Sequence, residues 1–421
     1  MNTAIVSSKI SAMLMLLLLS IGMCYGATMV FDPNIKSLNV VAGQNWLSPP
    51  VITLGSGDRI HISFDELSHD YHRYIYHIEH CEADWSVSES LFQSDYLDGL
   101  NDNVIEDYVH SINTTVSYTH YSLSLPNSQC RLKLSGNYRL TVIDDDSGEA
   151  VLQAEFMVVE PLMNWSLEAT SNTDIDTNKE HQQLQASLNF GNIMVSDHER
   201  QLYTVFMQNN RNHSIRTNIR PDIITNKGLA WTHSRPLIFD AGNEYHKFEI
   251  LSTSHPTMGI DHIEWDGNYF NAYPFANEVS KNYLYDEDAN GSFFIRNSDN
   301  TEIDYTCDYV LVHFRLDAPY SPDTIRISGA WTTDQQHSNY DMVYSEDDHA
   351  YFSTVILKQG YYSYQYTISD ASGQRIHPYE GSYYQTENSY QAYAYYKADG
   401  DRTWRLLAYR TISFPSSPYK P

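Results

Sequence analysis

The run His77-Ile78-Glu79-His80-Cys81 places four potential metal ligands within five residues. On an extended strand the side chains alternate, so His77, Glu79 and Cys81 share one face and His80 points the other way. Zinc asks for three or four convergent ligands, which strand neighbours do not supply unaided, so strand packing is the favoured reading. Asp286-Glu287-Asp288-Ala289-Asn290-Gly291 opens like a calcium loop, with oxygen ligands at alternate positions and then glycine. Its twelfth position is Asn297 where a bidentate Glu is needed, and the flanks Tyr283–Tyr285 and Phe293–Ile295 read as strands. An Asn-Gly hairpin turn accounts for the same residues. The pairs Asp65/Glu66 and Asp261/Glu264 have the residue types of a glycosidase, but that reaction needs a fixed separation across a cleft and one raised pKa. No Gly-x-Ser-x-Gly elbow, His-Glu-x-x-His or glycine-rich phosphate cradle occurs. No catalytic, cofactor-binding or metal-binding residue is expected, and the chain reads as a non-enzyme.

Aromatic side chains in loops are the better candidates. The Ser86–Tyr108 stretch is rich in Asp, Asn and Ser, has little strand character, and reads as a long ordered loop with a helical turn. Trp85, Phe92 and Tyr96 in this region are candidate partner contacts. So are Tyr383, Tyr384 and Tyr390 near the other end, because tyrosine offers large contact area at modest entropic cost. Packing across strands competes for every one of them.

The elements that must carry these loops are β-strands. Segments such as Ile60–Phe64, Tyr74–His80, Leu202–Gln208, Phe293–Ile295 and the tyrosine-rich 383–397 alternate and are punctuated by turn formers, for instance Gly55-Ser56-Gly57-Asp58. The expected fold is all-β, with tandem immunoglobulin-like sandwiches. Expected boundaries are a signal peptide at 1–26, an N-terminal sandwich at 27–161, a middle β domain at 162–304 and a C-terminal sandwich at 305–421. Gly329-Ala330-Trp331 and Gly360-Tyr361-Tyr362 give the last unit a resemblance to early-set immunoglobulin-like modules that flank glycan-active enzymes. Carbohydrate binding or glycan processing is accordingly the alternative reading of function.

Lys9 followed by the apolar run Met13–Leu19 fits a secretory signal cleaved after Gly26. A lipoprotein signal ending at Cys24 is the rival, disfavoured by the bulk of Met23. The full chain carries 26 basic and 53 acidic residues, a formal charge of -27, which excludes a phosphate backbone as a natural partner. Cys81, Cys130 and Cys307 remain in the mature chain. A Cys81–Cys130 bridge is open, but a chain this long stabilises its core without staples, which favours buried free thiols.

One family carries phrases of this kind. FDPNIKSLNV (31–40), PPVITLGSGDRIHISFDEL (49–67), YIYHIEHCEADW (74–85), LSGNYRLTVID (134–144), VFMQNNR (205–211), FDAGNEYHKFEI (239–250), YDEDANGSFF (285–294) and EGSYYQTENSYQAYAYY (380–396) resemble the plug proteins of the type IX secretion system. The resemblance implies an exported periplasmic protein, associated with the outer membrane through its partner, which closes a giant translocon barrel while no cargo is engaged. It implies no cofactor and transfers no catalytic residue. The family tends to carry Phe-Arg where this chain has Tyr245-His246, which puts an ion pair there in doubt.

Overall fold

The computed structural model describes residues 27–280, 282–369 and 376–415, so the expected signal peptide lies outside the described residues. Nearly all regular structure is β, arranged as sheets packed face to face in three sandwich units. In the first unit, Ala150–Val159, Gly136–Asp144 and Tyr74–Cys81 pair in turn and face a second sheet of Ile35–Ala42, Ile60–Glu66, Thr119–Leu125 and Asp107–His110. Alternation puts Tyr74, Tyr76 and Ile78 inside against Phe64, Tyr121 and Leu140. The 86–108 stretch holds the helical turn Gln93–Tyr96 and short strands at Leu97–Gly99 and Asn103–Val104. Cys81, Cys130 and Cys307 are buried free thiols. Burial pushes Cys130 up to about 11 and Cys81 to about 12.

The remaining strands do not divide at the expected 304/305 boundary. Asn388–Tyr396 pairs with Leu202–Gln208, and Arg405–Phe414 extends the same sheet. Their inner side chains share a core with Trp165, Phe206 and Trp231. The end of the chain thus completes the middle sandwich. Conversely, His246–Ile250 and Phe293–Ile295 pair with Gly360–Ser369, and Phe270–Pro274 pairs with Tyr309–Asp317. These strands enclose the core of Phe248, Phe314, Trp331 and Tyr362. The third sandwich is therefore inserted into the second, leaving after Ala241 and returning before Asn388. Both crossings run side by side, with the Tyr383 N–H donating to the Gly242 carbonyl at 2.8 Å. Segmentation along the chain missed this because strand partners nearly 190 residues apart leave no local signature.

Close backbone approach fixes two glycines of the inserted unit. A Cβ on Gly360 would lie 2.4 Å from the Phe294 carbonyl oxygen, and one on Gly329 would lie 2.5 Å from Trp331 Nε1.

The units are joined by buried contacts. Met157, Val159, Val205, Met207, Tyr393 and Tyr395 form an apolar seam between first and middle units. Within it Tyr395 OH donates to Asn137 Oδ1 at 2.7 Å. Between first and inserted units sits an ion pair, Lys358 Nζ to Asp65 Oδ2 at 2.7 Å, with both side chains 1 % exposed. Tyr309 OH donates to Asp65 Oδ2 and His120 Nδ1 lies 2.6 Å from Oδ1, while Lys358 also donates to the Asp304 carbonyl and sits over the Tyr118 ring. Burial pushes the Asp65 carboxyl up, but Lys358 and His120 together hold it below the ordinary value.

Two outcomes follow from these contacts. Excising 243–382 and joining Gly242 to Tyr383 should leave the first and middle units folded, with Trp165 and Trp231 still shielded from a fluorescence quencher. A quencher-exposed product would reject the insertion topology. Lys358→Met strands a buried carboxylate and should lower unfolding stability by about 3–5 kcal/mol, measured by denaturant titration. Asp65→Leu combined with Lys358→Met should recover much of that loss, and no recovery would show the pair does not act as a unit.

Candidate functional site

The side chains that looked like metal or acid–base sites are spent on separate local hydrogen bonds and ion pairs, some buried and some exposed. His80 is buried, its Nδ1 2.9 Å from Ser88 Oγ and its Nε2 3.3 Å from the Ser135 carbonyl, and desolvation lowers its pKa. His77 turns outward to Asp102, so it and His80 do not converge. Asp286 accepts from Lys247, while Asp288 caps the Tyr245 and Asn290 N–H groups. Tyr283–Tyr285 is irregular backbone where a strand was expected. Glu66 accepts from Ser68, and Asp261 pairs with its neighbour His262. Among the described residues, no three His, Cys, Asp or Glu side chains are placed to share a metal ion.

The six aromatic candidates separate by burial. Phe92 is 74 % exposed at the start of the Gln93–Tyr96 turn, where the Asp95 carboxylate accepts from its N–H. Tyr96 lies half-buried against the first core and donates to the Ile78 carbonyl. Trp85, at φ +67, packs on the seam between first and middle units, and its carbonyl accepts from Arg139. Tyr383 and Tyr384 are half-buried beside the crossings, their backbone N–H groups donating to the Gly242 and Lys179 carbonyls. Tyr390 is fully buried, its OH on Gln182 Oε1 at 2.6 Å and its ring against Phe239. The expectation that Tyr390 meets a partner is therefore corrected: even-numbered positions of its strand face the middle core. Sequence reading passed over Leu100, 72 % exposed in the same loop as Phe92, and Trp265 and Tyr269 at the Ile260–Trp265/Phe270–Pro274 hairpin tip. An apolar residue inside a Gly/Asn/Asp run, as in Asp98-Gly99-Leu100-Asn101 and Trp265-Asp266-Gly267-Asn268, was the available signal.

Where the chain crosses between middle and inserted units, ionisable groups are buried together. Glu244 accepts from Tyr283 OH at 2.6 Å and from the Glu387 N–H, and burial pushes it up to about 7. Asp288 is raised by burial to about 6 despite its two backbone donors. His246 Nε2 meets Glu380 Oε2 at 2.6 Å, a hydrogen bond at the position where the resemblance implies an arginine. Glu380 Oε1 is left without a hydrogen bond, an oxygen that a forked guanidinium could reach.

Both raised carboxyls bind protons in the folded state at pH values where the unfolded chain has lost them. Their contribution is present below the unfolded values and lost as pH rises through about 6 to 7, so stability should fall between about pH 4 and 7 and level off above. Glu244→Gln should flatten this slope and raise the melting temperature at pH 8, an effect on the order of 1 kcal/mol. An unchanged slope would place the titrating group elsewhere.

Residues 35–160 match the model of the type 9 secretion system plug protein first domain. The crystal structure of a hypothetical protein from Parabacteroides merdae superposes with a TM-score of 0.89 at 36 % identity, covering 93 % of this chain and 100 % of that one. The C-terminal domain of the Streptococcus pyogenes antigen I/II-family protein AspA aligns over 93 % of this chain and 99 % of its own, at 8 % identity and a TM-score of 0.16, too low to bear on fold or role. No curated protein matches. Among the described residues no helix is long and apolar enough to cross a membrane. On the plug-domain match over the first sandwich, the chain belongs to the type IX secretion system plug protein family.

Proposed function

We propose that this chain is a non-enzymatic periplasmic component that seals the outer-membrane translocon barrel of the type IX secretion system while no cargo is engaged. Family membership supports the association with that machinery. The observation that carries the sealing role is the fusion of three sandwiches by buried contacts, above all Asp65–Lys358 and Tyr395–Asn137. A stopper must resist deformation, and interfaces locked this way leave little freedom between units. Recognition then falls to surface loops on the rigid body, with exposed apolar tips as anchors and a polar rim that permits release. Phe92 and Leu100 on the 86–108 loop are the anchors of this reading.

Both side chains are exposed, so Phe92→Asp with Leu100→Asp should leave thermal stability within about 0.5 kcal/mol of wild type. The double variant should retain tenfold less of the translocon barrel in tagged purification from native envelopes, as loss of a buried aromatic anchor predicts. Undiminished barrel recovery with a normally folded variant would move the contact off this loop. Barrel recovery that is absent even with the wild-type chain, in cells whose outer membrane stays equally impermeable without it, would reject the sealing role.

A further inference from the structure

Between the middle and inserted sandwiches lies a cleft of about 110 Å³, lined by Arg211, Arg216, Asn243, Tyr245 and Gln365. The two arginines stand apart from the others. Arg73, Arg139, Arg296, Arg315, Arg326, Arg402 and Arg405 each pair with a carboxylate. Arg59, Arg131, Arg200, Arg220, Arg235 and Arg410 are exposed to solvent. Among the described residues only Arg211 and Arg216 are neither exposed nor within salt-bridge reach of a carboxylate, in a chain with twice as many acidic as basic residues. Arg211 rests 4.5 Å above the Tyr245 ring, and desolvation lowers its pKa, with Tyr245 and Asp288 only partly compensating. Arg216 lies over Phe239 and spends Nη1 on the carbonyls of Ser214 and Ile215.

The backbone is built to hold Arg211 there. Asn209 and Asn210 are both left-handed, at φ 51 and 53, a conformation asparagine accepts more readily than other non-glycine residues. Asn209 is tied to Asn388 Oδ1 and accepts from the Ser389 N–H, and the Asn210 N–H donates to Gln391 Oε1. Asp240, the carboxylate on the cleft wall, is 3.4 Å from His181 Nε2. Placing a desolvated guanidinium in the same cleft as a second one, with neither within salt-bridge reach of a carboxylate, leaves positive charge that Asp288 offsets only in part.

We propose that this cleft binds a single oxyanion group, a carboxylate or a phosphate, between Arg211 and Arg216. The volume admits roughly four waters' worth of ligand, one such group and not a nucleotide or a sugar. Because Tyr245 and Gln365 belong to the inserted unit and both arginines to the middle one, an occupant fastens the crossing between them.

The test uses the full mature chain, with inorganic phosphate and acetate as separate probes against chloride at matched ionic strength. Expected is a saturable rise in melting temperature with at least one probe, the responding probe distinguishing phosphate from carboxylate recognition, confirmed as heat of binding by calorimetry. Arg216→Gln should weaken that binding tenfold or more. Asn243→Asp, which sets a negative charge on the cleft wall and leaves both arginines in place, should do the same should Arg216→Gln fail to fold. A response no greater than chloride with both probes, or equal binding by wild type and a folded variant, would overturn the site.

Discussion

The Asp65–Lys358 pair is the constraint on which the arrangement of units depends. Taking two charges out of water is costly by several kcal/mol per ion, and the loss is offset only if geometry and extra hydrogen bonds are right. Here they are, but only when first and inserted units are docked in one register: Asp65 comes from the Ile60–Glu66 strand of the first, Lys358 and Tyr309 from the second. A shift of one residue along Ala350–Lys358 would turn the lysine to the other side of its strand and leave the carboxylate alone in the interface. An apolar seam such as that around Met157 and Tyr395 attracts the units together without choosing so sharply among registers. The ion pair supplies choice and the seam supplies cohesion.

Much of the architecture was legible. Leu202–Gln208 and Phe293–Ile295 fall where alternation placed them, because half-buried strands write their period directly into the sequence. The all-β sandwich class follows from the same signal. What strands pair with is a different matter, since a strand carries the face it buries but not the address of its neighbour. Asn388–Tyr396 is the clearest case. Tyr390, Ala392, Ala394 and Tyr396 face the middle core, while Tyr393 and Tyr395 face the seam with the first unit. Burial on both sides explains the density of tyrosine in a stretch that from sequence offered Tyr390 as a loop contact.

The candidate site was less legible, for a related reason. Residues adjacent in sequence, such as His77 to Cys81 or Asp286 to Asp288, suggested chemistry and serve as surface polarity, core packing or backbone caps. The cluster of ionisable side chains at the cleft comes instead from segments far apart. Gln208–Arg211, Ala241–Tyr245, Asp288–Gly291 and Glu380–Asn388 meet at one crossing because the insertion forces the chain to leave and re-enter the middle sandwich at the same place. Each of these segments lies in a phrase on which the family resemblance rests. Phe92 is exposed because an apolar residue in a polar insertion has few places to hide. Tyr390 was misplaced because aromatic character alone does not separate a loop from a strand.

The two junctions of the inserted unit are electrostatic opposites, and this bears on how such a body could be both stiff and adjustable. At the first-unit junction Lys358 and His120 hold Asp65 in its charged form, so its carboxylate is already ionised within the ordinary carboxylate range. At the middle-unit crossing, burial favours the neutral forms of Glu244 and Asp288, and their charging near neutrality opposes the packed state. The left-handed turn at Asn209-Asn210 and the two arginines outside salt-bridge reach of a carboxylate lie on that same side. Departures from local consistency gather where structure is being held for a purpose other than stability. The inserted sandwich is thus held on the first unit by a contact that favours charge, and meets the middle unit where burial favours neutrality.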